Sequence, residues 1–290
     1  MSLPEALSSA LPTTQWLELG FSEGWLRVYL NAPKTRNALS EELSAELKTV
    51  LRAVRTESTV RGITLRGRGE VFCAGGDLKA FAAVRELPAQ EARQTAVATS
   101  LRGAEVYHLV HTAPQVVVAL IEGAAIAGGL GLACAADFAF ATADAKFAFS
   151  ETRIGLTPAQ IAPYVIGKVG VRNARRLLLT GAYLNGAQAL ESGLVDAVAN
   201  DSSELDDLER TLIEQVLRCA PEAVGVTKQV IDDVVARDVQ AFQHKAAEHF
   251  AQCLVSDEGR EGVASFFEKR SPSWATCFDK DNSDSKSGSA

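Results

Sequence analysis

The sequence has few of the features that mark metal-binding or nucleic-acid-binding proteins. Its five cysteines are widely scattered and show no Cys-x-x-Cys spacing, so paired zinc or redox cysteines are not expected. Acidic residues outnumber basic ones by 36 to 29, which gives a formal charge of −7. That balance disfavours a nucleic-acid partner, because phosphate neutralisation needs clustered Lys and Arg. An anionic ligand would therefore need a local basic patch.

The chain also lacks a basic, apolar leader at its start and an uninterrupted membrane span. The 21 residues from Val116 to Ala136 contain one charge, Glu122, and have the length of a span. However, a β-branched start gives way to Glu122-Gly123 and then to Gly128-Gly129. This pattern favours a buried strand, a loop and a buried helix. We therefore expect a cytoplasmic protein with reduced thiols and no membrane partner.

Strand-like and helix-like segments alternate along the first two thirds of the chain. The predicted strands cover residues 25–30, 62–65, 115–121 and 137–142. One helix has a clear start at Ser40, a good N-cap residue, followed by Glu41 and Glu42 and by apolar positions at helical spacing. Such alternation predicts an α/β core.

From Ser203 the pattern becomes almost wholly helical. The predicted helices cover residues 205–219, 221–237, 239–255 and 259–268. Both ends of the chain are small and polar, which is typical of frayed termini. We therefore expect a disordered N-terminus over residues 1–11, a core over 12–202, a C-terminal helical region over 203–277 and a disordered tail over 278–290.

Two glycine-rich segments follow predicted strands, one with Gly75-Gly76 and the other with Gly128-Gly129. Glycine lets the backbone approach a ligand, and free N–H groups at a helix start favour a negative oxygen. For either segment alone, it is equally plausible that glycine is present only because a tight turn leaves no room for a side chain. Together, two strand ends that each supply an N–H donor suit an oxyanion hole for a thioester enolate. Neither loop has the dinucleotide or Walker A pattern.

With further motifs, these loops resemble the enoyl-CoA hydratase/isomerase family, also called the crotonase family. The further motifs are Asn31 to Leu39, Phe147 to Leu156, Leu179 to Gly181, Ala187 to Val195, and Phe266 to Arg270. The ordered matches run from about Trp25 to about Trp274. The resemblance implies a crotonase-like spiral of ββα turns with a C-terminal helical trimerisation region. It also implies a homotrimer or a dimer of trimers.

The resemblance further implies how an acyl-CoA thioester would be held. Gly76 and Gly128 match the two positions whose N–H groups hold the acyl carbonyl. The other substrate-binding or CoA-binding positions are Lys34, Ala74, Asp77, Leu78, Lys79, Gln160, Phe266 and Lys269. In this family the last two are often supplied by a neighbouring subunit. CoA enters as part of the substrate, and no metal or redox cofactor is implied.

Hydratases of this family carry two glutamates, and here only the second has a match, at Glu151, while the first falls on Gly131. Two carboxylates suit hydration because one accepts a proton from water while the other donates to the α-carbon. Apolar residues flank Glu151, and burial would raise its pKa. An exposed Glu151, or one paired with Arg153, is the alternative. We expect Glu151 to act alone, with the substrate's distal carboxylate or Gln160 orienting the water.

The run from Glu151 to Pro163 resembles a family branch that acts on glutaconyl-type substrates. In this chain, residues 159–163 are Ala-Gln-Ile-Ala-Pro, whereas most family members have a glycine-rich segment at this place. Similar runs occur in hydratases for 3-methylglutaconyl-CoA and isohexenylglutaconyl-CoA, from leucine and acyclic-terpene catabolism, and the second is the closer match. We therefore expect a hydratase for a branched enoyl-CoA. An enoyl-CoA isomerase and a non-catalytic acyl-CoA binder remain open alternatives.

Overall fold

The computed structural model describes residues 11–235, 247–248, 250–252 and 254–272. Its main sheet has six strands in the order β1 (Leu17–Ser22), β2 (Trp25–Leu30), β3 (Gly62–Gly67), β4 (Val116–Ile121), β6 (Phe138–Thr142) and β8 (Ala197–Ala199). The first two strands are antiparallel and all the other neighbours are parallel. A smaller parallel sheet pairs β5 (Ala124–Ile126) with β7 (Lys146–Ala148).

Helices alternate with these strands and then continue alone towards the C-terminus. They are α1 (Glu41–Val54), α2 (Leu78–Val84), α3 (Ala89–His111), α4 (Gly128–Ala135), α5 (Ala162–Thr180), α6 (Gly186–Glu191), α7 (Ser202–Leu217), α8 (Pro221–Val235) and α9 (Asp257–Glu268). Two 3-10 turns lie at Pro33–Thr35 and Glu151–Ile154. The predicted α/β class is confirmed, with a sheet that is mainly parallel.

Strand β4 lies in the middle of the main sheet and is buried along its whole length. Its odd-numbered residues Val117, Ala119 and Ile121 belong to the main hydrophobic core, on the side of α1, α4 and α5. Its even-numbered residues belong to a second cluster that includes apolar residues of α7. Burial on both faces explains why the strand has the continuous apolar composition typical of a parallel sheet. Helix α7 therefore covers one face of the sheet.

The predicted elements agree closely with the structure where local sequence determines them. Ser40 is the N-cap of α1, and its hydroxyl accepts a hydrogen bond from Leu43 N at 3.2 Å. The segment from Val116 to Ala136 forms β4 and α4 as predicted. The loop predicted between them contains the short strand β5. Local sequence did not indicate β5, because its hydrogen bonds go to β7, about twenty residues further along.

Some predictions concern residues at or beyond the limits of the described chain. Leu11, assigned to the disordered N-terminus, is described and buried against the main core. Residues 1–10 and 273–290 lie outside the described residues, as does most of the helix predicted over residues 239–255.

No helix in the described part of the chain is both long enough and apolar enough to cross a membrane.

Candidate active site

The two glycine-rich loops lie directly against each other. Cys73 forms a parallel bridge with Ala125, and its carbonyl accepts a hydrogen bond from Ile126 N at 3.0 Å. Gly75 has a φ of +95°, a backbone conformation that favours glycine. A Cβ atom at this position would lie 2.8 Å from Ile126 O and 3.3 Å from Gly128 N. Glycine is therefore needed here for two reasons, the positive φ and the close approach of the second loop.

The predicted oxyanion donors, Gly76 and Gly128, border one small space. Gly128 is the first residue of α4, where a backbone N–H has no acceptor within the helix. A Cβ atom on Gly128 would lie 3.7 Å from Gly76 N. Neither residue has a side chain of its own that could cover its amide. The structure thus brings the two predicted donor residues close together, and their action as an oxyanion hole stays a prediction.

Ala127 holds an unusual backbone conformation immediately before the Gly128 amide. Its φ of +50° and ψ of −125° lie where residues with a side chain are strained. Two hydrogen bonds hold it there, from its N–H to Ala148 O at 2.7 Å and from Gly131 N to its carbonyl at 3.0 Å. The torsion ψ of Ala127 sets the direction of the Gly128 N–H. Sequence reasoning missed this residue, because an alanine gives no sign of a positive φ.

Glu151 begins the 3-10 turn that follows β7. The residue as a whole is partly exposed, but its Oε2 atom is buried and has no hydrogen-bond partner within the described structure. Burial raises the pKa of Glu151 from 4.5 to about 7. Arg153, the alternative ion-pair partner, instead places its guanidinium 5.4 Å from the centre of the Tyr183 ring. The environment of Glu151 therefore suits an acid/base group.

Gly131, where a carboxylate was expected from the family pattern, faces the side chain of Ile161. A Cβ atom on Gly131 would lie 2.7 Å from Ile161 Cβ and even closer to its Cγ2. Ile161 is only 3% exposed and belongs to the main core. Hydrocarbon thus occupies the space into which a second carboxylate would project.

The described residues also contain no group of three or more His, Cys, Asp or Glu that could hold a metal ion.

Tyr107, near the end of α3, is a further residue to which sequence reasoning assigned no individual role. Its hydroxyl oxygen would be 2.6 Å from a Cβ atom on Gly128. Nothing in the local sequence indicated this position, because it depends on how α3 packs against α4, a helix that begins about twenty residues later. A buried tyrosine on a helix face is ordinarily explained by core packing alone.

The remaining predicted residues near the first loop lie at the surface or have local structural roles. Lys34 and Lys79 are exposed. The Asp77 carboxylate is the N-cap of α2 and accepts hydrogen bonds from Lys79 N at 2.9 Å and Ala80 N at 3.4 Å. Ala74 N donates to a backbone carbonyl, and Leu78 is the first residue of α2. Contact of these residues with CoA stays a prediction.

Gln160 and the two predicted C-terminal residues occupy different surroundings. Gln160 Nε2 donates a hydrogen bond to Ser100 Oγ on α3 at 3.1 Å. Phe266 is 52% exposed on α9, and Lys269 ends that helix with a φ of +52°. Helix α9 packs against the 3-10 turn of Glu151, where a Cβ atom on Gly262 would lie closer than 3 Å to the backbone of that turn. The role of Gln160 with water, and the roles of Phe266 and Lys269 with CoA, remain predictions.

The chain is similar to known proteins both in sequence and in structure. The sequence profile described as "Enoyl-CoA hydratase/isomerase" matches residues 20–277. A protein of Syntrophomonas wolfei named "Crotonyl-CoA hydratase" is 30% identical over 248 residues, which cover 84% of this chain and 91% of that protein. The structure is similar to that of Pseudomonas aeruginosa AtuE, with 41% identity, a TM-score of 0.73, and coverage of 90% of this chain and 100% of the other.

A crystal structure of an enoyl-CoA hydratase from Mycobacterium avium is also similar, with a TM-score of 0.79 and 32% identity. It is matched over 90% of this chain and 100% of its own length. The fold agrees with these structures, and the profile covers most of the sequence, including both glycine loops and Glu151. The chain belongs to the enoyl-CoA hydratase/isomerase family.

Proposed function

We propose that this chain is a hydratase that adds water across the α,β double bond of a branched enoyl-CoA, of the glutaconyl type such as isohexenylglutaconyl-CoA. The family and the names of its relatives support a hydratase-type lyase. The observation that carries the proposal is the buried Oε2 of Glu151, which has no hydrogen-bond partner within the described residues. A buried carboxylate oxygen without a partner is costly to a fold, so a role in chemistry accounts for it.

The reaction uses the amide pair and Glu151 in sequence. The N–H groups of Gly76 and Gly128 bind the thioester oxygen and stabilise the negative charge that develops there. The water oxygen then bonds to the β-carbon while one water proton passes to the Glu151 carboxylate. Glu151 returns a proton to the α-carbon as the enolate collapses to the thioester. The product is a 3-hydroxyacyl-CoA, and Glu151 ends the cycle as a carboxylate.

The pKa of Glu151 suits both halves of this cycle. At about 7, the pKa lets the group accept a proton from water and release it to carbon near neutral pH. A carboxyl group at its ordinary pKa would be a weaker base by more than two orders of magnitude in proton affinity. Burial of Glu151 therefore supports the single-residue mechanism.

The glutaconyl-type substrate is supported by the surroundings of Gly131. Since Ile161 fills the space of a second carboxylate, another group must orient the attacking water. A glutaconyl substrate carries its own distal carboxylate, which can accept a hydrogen bond from that water. The amide of Gln160, next to Ile161 in the chain, is the protein group proposed to assist.

The same observation at Gly131 also favours a second candidate, an enoyl-CoA isomerase. A single carboxylate is sufficient to move a proton between two carbons, so Glu151 alone could convert a 3-enoyl-CoA into a 2-enoyl-CoA. A non-catalytic acyl-CoA binder is the third possibility. These functions differ in their products, which allows one experiment to separate them.

The deciding experiment is a turnover screen with crotonyl-CoA, 3-methylglutaconyl-CoA, a long-branched glutaconyl-CoA and a 3-enoyl-CoA. We expect loss of enoyl absorbance and formation of a 3-hydroxyacyl-CoA, fastest with the long-branched substrate. The variant Glu151→Gln should bind these thioesters but not hydrate them. A double-bond shift without water uptake would establish the isomerase, and tight binding without any turnover would establish the binder.

We further propose a cytoplasmic homotrimer or dimer of trimers that needs no metal or redox cofactor and acts in acyclic-terpene catabolism. Lys34 would meet the nucleotide end of CoA together with Phe266 and Lys269 of a neighbouring subunit. The large exposed area of Phe266 agrees with this arrangement. Light scattering gives the mass in solution. A monomer with full activity would contradict a site shared between subunits.

A further inference from the structure

Three groups lie close to the space above the Cα of Gly128. A Cβ atom placed there would lie 2.6 Å from the Tyr107 hydroxyl oxygen, 3.7 Å from Gly76 N and 3.8 Å from Leu39 Cδ1. Two of the three are hydrogen-bond donors, and Gly128 itself contributes its own N–H at the start of α4. Three donors thus border a space that is too small for a side chain and is closed on one side by hydrocarbon.

Tyr107 is held in this position by packing. It lies in the last turns of α3, is only 6% exposed and belongs to the main core. Its ring lies 6.1 Å from that of Tyr164, measured between centroids. A ring fixed in this way keeps its hydroxyl in place without the entropy cost of ordering it when a ligand binds.

The Tyr107 hydroxyl stays protonated at neutral pH. Burial raises the pKa of this phenol well above its ordinary value, and the negative charges of nearby groups, Glu151 among them, raise it further. A neutral phenol can donate a hydrogen bond to an oxygen that is gaining negative charge.

We propose that the Tyr107 hydroxyl is a third hydrogen-bond donor to the thioester oxygen, beside the N–H groups of Gly76 and Gly128. This inference rests on the proposed function, because it assigns a role within the same site. Tyr107 would then be a catalytic residue that stabilises the enolate. A third donor compensates in part for the missing second carboxylate, since a better-stabilised enolate makes the β-carbon more reactive towards water.

The position of Tyr107 favours contact with the thioester oxygen over contact with the attacking water. Gly128 and Gly131 lie one helical turn apart on the same side of α4. Tyr107 lies over Gly128, the residue that binds the oxygen, whereas Ile161 lies over Gly131, from which the family's carboxylate would reach the water. The phenol therefore faces the oxyanion position and the hydrocarbon faces the water position.

The variant Tyr107→Phe tests the proposal because it keeps the ring and removes only the hydroxyl. The first measurement is the absorbance of bound 4-(dimethylamino)cinnamoyl-CoA, whose band moves to longer wavelength when the thioester oxygen is polarised. We expect a clearly smaller red shift in Tyr107→Phe than in the wild type. For the hydrated substrate, we expect kcat to fall roughly 10- to 100-fold with little change in KM.

The matched control is Tyr164→Phe, which removes the hydroxyl of the neighbouring buried tyrosine. The Tyr164 hydroxyl has no hydrogen-bond partner in the described structure. Its removal should leave both the red shift and kcat unchanged. If Tyr107→Phe does not fold, replacement of Tyr107 by 3-fluorotyrosine keeps the size and gives a stronger donor, for which we expect a red shift at least as large as that of the wild type.

The outcomes separate this proposal from the proposed function. An unchanged red shift in folded Tyr107→Phe, or a smaller shift with 3-fluorotyrosine, would overturn the third donor while hydration by Glu151 stands. Conversely, a red shift that depends on Tyr107, in an enzyme that hydrates none of the four thioesters, would support the third donor and refute the hydratase. The chromophore binds without turnover, so the two results are independent.

Discussion

The side chain of Ile161 occupies the space that any side chain on Gly131 would need. The two residues therefore form a matched pair, in which the loss of a side chain on α4 accompanies a large apolar residue just before α5. The pair removes the second carboxylate that the family pattern leads one to expect. It also means that a single substitution at Gly131 cannot restore that carboxylate, because Ile161 stands in its way.

The first prediction follows from this pair. Gly131→Glu should lower activity and stability, since the new side chain would clash with Ile161 and place a charge against hydrocarbon. The double variant Gly131→Glu with Ile161→Ala opens the space and should recover part of the activity on crotonyl-CoA, measured as loss of enoyl absorbance. Ile161→Ala alone is the control, with an expected loss of stability of about 2–5 kcal/mol from the cavity.

A second prediction concerns the pH profile. Hydration consumes no net proton, so kcat/KM must have the same pH dependence for hydration and for dehydration. Because Glu151 begins and ends the cycle as a carboxylate, activity should rise through pH 7 in both directions and then level off. An enzyme with two carboxylates, one protonated and one ionised, would give a bell-shaped profile. A falling limb between pH 7 and 9 would therefore show that a second acid takes part.

The third prediction links Glu151 to stability. Its pKa in the folded protein, about 7, lies above the ordinary value of 4.5, so the folded state binds more protons than the unfolded state between these pH values. The free energy of unfolding must then decrease as pH rises from 4.5 to 7, by up to about 3 kcal/mol. Glu151→Gln removes the titrating carboxyl group and with it this pH-dependent decrease in the free energy of unfolding. We expect the variant to be more stable than the wild type at pH 8, with a much smaller difference near pH 5.

Urea unfolding at the two pH values measures this effect. The matched control is Glu70→Gln, which changes an exposed carboxylate and should alter stability equally little at both pH values. A variant Glu151→Gln that is no more stable than the wild type at pH 8 would mean that Glu151 is well solvated or paired. The assignment of Glu151 as a high-pKa acid/base would then be wrong.

Much of this structure could be predicted from sequence, where neighbouring residues determine the conformation. The N-cap at Ser40 and the burial of β4 depend on local composition, whereas Glu151 was singled out by its match to the second glutamate of the family pattern. The positions of Tyr107 and Ile161 could not be predicted in the same way. Each is set by the packing of a separate helix or turn against α4, and a sequence of apolar and aromatic residues is compatible with many such arrangements.

The strained residue Ala127 shows the same limit for backbone conformation. Its positive φ is maintained by hydrogen bonds to Ala148 and Gly131, and neither partner is adjacent to it in the chain. Glycine is the residue that most readily adopts this conformation, so an alanine at position 127 did not indicate a positive φ. Strain of this kind is often found where surrounding structure fixes a functional group, and here it lies directly before the Gly128 amide, the predicted oxyanion donor.

The last prediction concerns the contact between the two glycine loops. Gly75→Ala should displace the loops and lower both stability and activity, because the new Cβ would meet Ile126 O at 2.8 Å and the φ of +95° is strained for alanine. Gly103→Ala is the matched control, since its Cβ would meet nothing within 4 Å in the middle of α3. That substitution should stabilise the protein by about 0.5–1 kcal/mol and leave kcat unchanged. Thermal melts and turnover of the two variants, measured side by side, test whether the loops must touch: full activity in Gly75→Ala would mean that the Gly76 and Gly128 amides need not be held this closely.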